Sequence, residues 1–525
     1  MEDMKATQFY AAEPGSPTWQ PYVTDGETDE KLGTEYDMRA MVRMGKKQEL
    51  RREFQFLSIW GYAVILGCSW EFALVDGVLS LPNGGTAGTV WIFLVACFGM
   101  FFVTVSMAEM ASMAPTAGGQ YHWCSEFAPR SMQRFLSYCV GFLCVLGWQT
   151  SLVAASYAAA QQLQAIIVIS DETYVSHTWH TALLTWGVLF VAIFANTIAF
   201  RKLPLIEGII MFLHIFGFFA FVVVLWVMAP RSDTSVLATF EDNGWGSTGL
   251  ACLVGINAAV GDIIGADSSV HLSEELREAS WVLPRSMIAT AGMNYALGFV
   301  MIVTLVFCLG DYDDAISSPT GQPYVYMVQN ATGSKAATIV LTLVMFLLLT
   351  ACAVNNVTTS SRQLWSFARD GGLPFSRWLS RVRPGWDIPV NAVFVSACIT
   401  VILTCIVIGS STAYAVLLTL VISGLLSSYI ICISCALWKR LAKQPFPPSR
   451  FSLGKAGNII NIVALAFLIL AWLFQFFPSA PNPTAESMNW CVLIYGAVII
   501  FFSIYYVARA RHRYEGPVAM VRKDL

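Results

Sequence analysis

Carboxylates and a histidine stand where this chain is otherwise apolar. Residues 54–80 carry Glu71 and Asp76 among Gly61, Gly67, Cys68, Ser69 and Gly77, and residues 248–271 carry Asp262, Asp267 and His271 among Gly249, Gly255, Asn257, Gly261 and Gly265. An ionisable group in hydrocarbon is costly, so its presence marks a site or a pathway. Glycines at this density interrupt a helix, and the unwound backbone frees amides and carbonyls to bind a solute. Close helix packing accounts for any one glycine. It does not explain why acidic residues accompany the glycines in both stretches.

Trp70 beside Glu71 suits a cationic amine, the ring face attracting the ammonium and the carboxylate neutralising it. The alternative puts Glu71 at a helix break near the outer surface, merely solvated. Asp267 and His271 lie four apart on one helix face, where His271 could change charge near physiological pH. They form either a proton relay or, with Glu274 and Glu275, the anchor of an inner gate to arginines such as Arg130 or Arg362. Glu109 admits the same two readings. Glu207 and His214, two turns apart, read as intrahelical packing.

The elements that position these groups follow from hydropathy. The 525 residues are 56% hydrophobic and 12% charged, too few polar side chains to coat a water-soluble globule. About twelve apolar runs, each near the length of a bilayer core, are expected at 54–80, 87–112, 131–168, 181–200, 204–229, 248–271, 286–309, 337–361, 389–409, 413–437, 458–478 and 489–508. They exceed the roughly 4–8 residues of a strand and lack barrel alternation, so the fold class is all-α and polytopic. Arginine and lysine collect in alternate turns and in both tails, while the opposite turns hold only Arg231 and Lys335. Both termini are therefore expected in the cytosol. Residues 1–53 read as a disordered tail and 509–525 as a short C-terminal one. The first span, rather than a cleaved signal peptide, is expected to target the chain.

Other motifs are weak. The 13 cysteines lie almost wholly in apolar runs and imply no disulfide framework. Cys432 and Cys435 have CxxC spacing but no second pair, and His177 and His180 lack a third ligand, so no metal is expected. Asn330-Ala331-Thr332 is a glycosylation sequon in a loop placed outside. No nucleophile elbow, phosphate-cradling loop or cofactor motif appears, which leaves an enzyme reading without chemistry, and nothing suggests nucleic acid.

The stretch MAEMASMAPTAGGQYHW at 107–123, preceded by Asn83-Gly84-Gly85, resembles the hallmark of the amino acid–polyamine–organocation superfamily, and in detail its fungal amino acid/choline permease branch. GADSSVHLSEE at 265–275 with Pro284-Arg285, SSRQLWSFARDGGLP at 360–374 and Ile388-Pro389-Val390-Asn391-Ala392 extend the likeness in order and spacing. The resemblance implies two inverted five-helix repeats, 54–229 and 248–437, with two peripheral helices at 458–508 and alternating access about the broken helices. It also implies a substrate site at Leu66, Gly67, Cys68 and Ser69, where freed amides would hold a carboxylate or hydroxyl, and at 257–265. Trp148, Gln149 and Ser151 of the third span and Asn355 and Asn356 of the eighth would complete it. The expected function is secondary active transport of a small amine-bearing solute, an amino acid such as 4-aminobutyrate or the quaternary amine choline, in the plasma membrane or an organellar one. Proton coupling is implied, yet the lysine that some relatives carry in span five has no counterpart beyond Lys202, which precedes Pro204, so sodium coupling and exchange stay open. A nutrient receptor with the same fold, or a passive channel, would use the same helices without gradient-driven uptake.

Overall fold

Lipid supplies no hydrogen bonds, so each crossing segment closes its own backbone ladder as a helix. A computed structural model describes residues 33–171, 173–383, 385–409, 413–485 and 487–517. After a short helix α1 (Glu35–Arg43), the first half comprises α2 (Phe56–Gly67), α3 (Ser69–Val75), α4 (Gly85–Met113), α5 (Gln120–Phe127), α6 (Gln133–Ser170), α7 (Thr178–Thr197) and α8 (Leu203–Met228). The second comprises α9 (Thr248–Gly261), α10 (Ala279–Cys308), α11 (Tyr312–Ile316), α12 (Pro323–Thr332), α13 (Lys335–Arg369), α14 (Ser376–Leu379), α15 (Val390–Gly409) and α16 (Ala413–Leu441). Two further helices, α17 (Gly457–Phe474) and α18 (Cys491–Ala508), close the chain.

Eleven of these segments are long and apolar enough to cross a bilayer, the first formed by α2 and α3 together, and α9 is a shorter apolar helix. All twelve expected runs are thus helical, and the protein is an integral, multi-pass membrane protein. The outer faces of the bundle are apolar: Phe212, Phe216, Phe219, Val223 and Val227 of α8 are all more than half exposed, as lipid contact requires. Long α6 forms the axis, packed against α13 and α16, while α4 packs on α9 and α10. Peripheral α17 lies on α4 and α16, and α18 on α16.

Two crossings are broken, as the glycine density predicts. Between α2 and α3, Cys68 takes a left-handed conformation (φ 40°), and the Asn294 Nδ2 amide of α10 caps the end of α2 by donating to Val64 O at 3.1 Å. Gly67 must lack a side chain there, since a Cβ would sit 2.4 Å from that amide nitrogen. The sixth crossing runs as α9, turns at Gly265 (φ 102°), and re-enters helical geometry as a tight 3₁₀ stretch, Ser268–Glu275.

The expectation of a disordered tail to residue 53 is corrected. Residues 1–32 lie outside the described residues, but 33–53 wrap the arginine-rich face. Thr34 and Asp37 form a capping box on α1, and the Asp37 carboxylate accepts from Glu278 N and Ala279 N at the start of α10 (2.8 and 3.0 Å). Phe54 N donates to Glu275 O and Phe54 O accepts from Arg277 N. Part of the charge that lowers the hydropathy of this segment is buried rather than solvated, at Asp37, Arg43, Lys46 and Arg52. At the other terminus Tyr514 is buried, its hydroxyl 2.6 Å from Ser137 Oγ on α6.

Candidate functional site

The two breaks face each other, and the space between them is a cavity of about 500 Å³. Its floor is Leu66 and Gly67 at the end of α2, Gly265 after α9, and the Trp148 ring from α6; a Cβ on Gly265 would stand 3.4 Å from Leu66 and 3.8 Å from Trp148. Its mouth is lined by Leu79 and Asn83 and by Phe477, Ser479, Ser487 and Asn489, loops on the face opposite the arginine-rich turns. Asn83 Nδ2 ties that rim together by donating to Ser479 O at 2.8 Å.

Of the residues expected at the site, Leu66, Gly67, Trp148, Ser151, Asn257, Gly261, Asp262, Gly265 and Asn356 line this cavity. Ser151 Oγ donates to Asn356 Oδ1 at 2.7 Å, joining α6 to α13. Asn257 Nδ2 donates to Phe474 O at 3.2 Å, anchoring α9 on α17. Asp262 is 2% exposed, and its Oδ2 has no hydrogen-bond partner.

Six expected residues do not line it. Cys68 and Ser69 are buried in the break. Gln149 donates to Ser396 Oγ and Ser360 O, tying α6 to α15 and α13. Asn355 donates to Tyr62 O and to Glu207 Oε2 (3.2 and 3.1 Å). Trp70 and Glu71 turn away from the cavity toward α8, where His214 Nδ1 lies 2.7 Å from Glu71 Oε1 and 3.2 Å from Trp70 Nε1. This corrects both readings of Glu71, because a fully buried carboxylate facing a histidine neither meets a cavity solute nor sits in solvent. His214 and Glu207 likewise bond across helices rather than within α8.

Asp76 is conspicuous in the sequence as an acidic residue of the first crossing, yet sequence reasoning does not assign it to the substrate site. It lines the cavity with Phe72, four residues earlier and so on the same helical face, whereas Glu71 is about 100° around the axis from Phe72. Asp76 and Asp262 are the charged side chains among the described lining residues, and no lysine, arginine or histidine accompanies them.

Below the floor, the arginine-rich face is sealed. Asp267 accepts from Gln120 Nε2 and Tyr429 OH, His271 Nε2 lies 3.7 Å from it, and the Trp148 and His271 rings meet edge to face at 5.5 Å. Arg362 Nε pairs with Glu275 at 2.8 Å and Arg369 with Glu274 at 2.7 Å. Lys46 from the wrapped segment pairs with Asp370 at 2.8 Å, which Tyr121 OH also reaches at 2.7 Å. Arg130 takes no part: it is exposed on the turn before α6. Glu109 binds Arg440 and the Leu453 amide, joining α4 to α16 and the approach to α17.

Charge sets the ionisation of this seal. Burial would raise the Glu274 carboxyl, but Arg369 overrides it and holds the group at about 2. Burial opposes ionisation of Asp370 too, and Lys46 and Arg369 outweigh it, leaving that carboxyl below its ordinary value. Lys46 itself is lowered by burial despite Asp370.

The sequence profile described as Amino acid permease matches residues 57–499. The chain belongs to that family. The permease is 28% identical over 465 residues to a choline transporter of Saccharomyces cerevisiae, covering 88% of this chain and 82% of that one. It is 26% identical over 505 residues to a GABA-specific permease of the same yeast, covering 93% and 87%. A putative amino acid/polyamine transporter of Macrophomina phaseolina is 29% identical over 434 residues, 82% of the permease and 96% of the relative. Among solved structures, a manganese transporter of Eremococcus coleocola superposes with a TM-score of 0.51 over 90% of the permease and 96% of that chain, at 12% identity. That likeness concerns the fold. Homology thus makes the permease a transporter of the amino acid and organocation class.

Proposed function

We propose that the permease carries a small organic amine whose positive charge is met by Asp262 and Asp76, in secondary active, proton-driven uptake. The observation that carries this reading is the cavity itself: two carboxylates, one of them buried and unpartnered, aromatic walls at Trp148 and Phe72, and no basic side chain among the described lining residues. A buried carboxylate without a partner is expensive, and an ammonium group at Asp262 would remove that cost. The first-turn amides of α3 and the open carbonyls after α9 would read the rest of the solute. A quaternary amine such as choline needs the carboxylates and rings alone; an amino acid such as 4-aminobutyrate would add its carboxylate at the α2–α3 break. The names of the two yeast relatives agree with these solutes.

In this reading the repeats 54–229 and 248–437 rock about the two breaks. The cavity mouth faces outward, the sealed face and both termini lie in the cytosol in accord with the arginine distribution, and the plasma membrane is the site of action. Radiolabelled choline and 4-aminobutyrate uptake into proteoliposomes, with and without an inward proton gradient, tests it. Accumulation of one solute, with apparent affinity lowered at least tenfold in Asp262→Asn, is expected; accumulation unaffected by that substitution would refute the assignment.

A further inference from the structure

We propose that the Glu71–His214 pair, set behind the cavity, is the site that binds the coupling proton. This rests on the transport reading above. Both side chains are completely buried, with Nδ1 and Oε1 2.7 Å apart, and they join α3, the second half of the broken first crossing, to α8. The surroundings are apolar and aromatic. The Trp70 ring stands 5.8 Å from the imidazole and packs on Phe218 and Phe221 at 6.0 and 5.6 Å. Nothing in this shell explains the pair as a structural clamp, because each partner keeps one polar atom without a hydrogen bond, Glu71 Oε2 and His214 Nε2.

One ring nitrogen faces two incompatible partners. Trp70 Nε1 can only donate, so it asks His214 Nδ1 for a lone pair. Glu71, when ionised, asks the same atom for a proton. A carboxylate oxygen and an imidazole nitrogen at 2.7 Å need a proton between them; without it, two lone pairs oppose each other and the indole is the donor left to Nδ1. The two arrangements are tautomers with the same proton count: with the proton on Nδ1 the imidazole donates to Glu71 and leaves Nε2 a bare acceptor, and with it on Nε2 the carboxylate goes unserved. In either one an unpartnered acceptor, His214 Nε2 or a Glu71 oxygen, stays open to one further proton, which is what a proton-binding site requires.

Charge arithmetic points the same way. With Glu71 ionised and His214 neutral the pair carries a net negative charge, and one added proton makes it neutral. The titratable groups that approach it are Cys68 at the break, Cys352 of α13, Glu207 two turns away on α8, where it accepts from Asn355, and Tyr324 of α12, whose ring meets Phe221 at 6.1 Å. On α10, Tyr295 lies by Thr104 and Cys308 points to Leu225 O. Among these described groups none is a cation, so the added proton is the compensating charge at hand.

The link to the solute is short. Glu71 is adjacent to Phe72, a cavity wall, and four residues past Gly67, part of the floor. Tilting of α3 about Cys68, as alternating access demands, changes the Glu71–His214 separation directly. Solute occupancy and proton occupancy then bias the same hinge.

The test uses the full-length protein in proteoliposomes holding a pH-sensitive dye, with radiolabelled choline and 4-aminobutyrate as probes. In wild type, uptake of the carried solute is expected to bring protons inward, and an inward proton gradient to drive accumulation. Glu71→Gln and His214→Gln are expected to keep solute counterflow while losing both the proton influx and accumulation above the external concentration. Trp70→Phe removes the indole donor while keeping an apolar aromatic ring, somewhat smaller, against Phe218 and Phe221, and is expected to shift the pH midpoint of uptake with counterflow intact, which covers the case of a polar variant that does not fold. Undiminished proton influx and accumulation in folded Glu71→Gln and His214→Gln would overturn the assignment while leaving transport standing. Absence of counterflow in wild type for these and other amines would overturn the transport reading, and the proton site with it.

Discussion

A rotation of about 140° separates two carboxylates that the sequence presents five residues apart. Glu71 points to α8, and Asp76, beside Phe72 in projection, points into the cavity. Acidic residues in both broken crossings were legible because hydropathy makes them conspicuous. Which of them meets the solute was not, since a seven-residue helix after a break has no pattern long enough to fix its phase. The reverse holds for Asp262, whose place just past α9 follows from the same glycines that end the helix. Its substitution by asparagine would remove the proposed charge-assisted contact to the amine, worth about 1.5–3 kcal/mol. The expected result is at least a tenfold loss of apparent affinity, read from the concentration dependence of uptake. Glu274 gives a prediction in pH. Its folded-state carboxyl, at about 2, lies below its ordinary value of 4.5, so the stability it contributes is complete above pH 4.5 and is lost as pH falls through 2. Thermal melting of the detergent-solubilised protein should show a wild-type advantage over Glu274→Gln that is constant above pH 5 and shrinks below pH 4.

Among the elements, all of the crossings were legible and their partners were not. Most residues of α8 that pack inward fall on the series Leu203, Glu207, Met211, His214, Phe218, Phe221 and Leu225, with Gly217 beside it, a helical stripe that hydropathy alone hides because lipid-facing and core-facing positions are equally apolar. The two polar members were the usable signal, and their spacing of two turns already marked a buried face. The wrapped segment 33–53 escaped notice for another reason. Lys46 and Asp370 are 324 residues apart, and no local pattern announces such a pairing. Lys46→Gln leaves Asp370 buried with only Arg369 and Tyr121 to support its charge, a loss of the order of 3 kcal/mol for a broken buried pair. A lowered melting temperature is expected, together with easier opening of the sealed face. The second is measured as raised reactivity of an introduced cysteine at Ser269 toward a thiol reagent supplied from that face; equal reactivity in both backgrounds would show that the segment plays no part in the seal.

At the scale of the whole molecule, the cavity opens to one face only, and the arginine-rich face is closed by several layers of ion pairs. The number of crossings and the sidedness of charge followed from composition and position; the conformation did not, because hydropathy and charge do not say which face of the bundle is open. If the basic face is cytosolic, tags at either terminus should be detected in intact cells only after permeabilisation. The sequon at Asn330, exposed near the end of α12, should carry a glycan removable by endoglycosidase. Surface labelling of either terminal tag in unpermeabilised cells would invert the proposed orientation.

The apolar outer face of α8 gives the bilayer a hold on the machinery. Phe212, Phe216 and Phe219 lie in lipid on one side of the helix while His214 meets Glu71 on the other, so a force that tilts α8 is felt across the helix at that pair. Membrane thickness and lateral tension would then act as effectors, without any binding site of their own. Transport rates in vesicles of graded acyl-chain length should pass through an optimum at a fixed proton gradient, and a flat profile would mean that the helix is held by its protein neighbours alone.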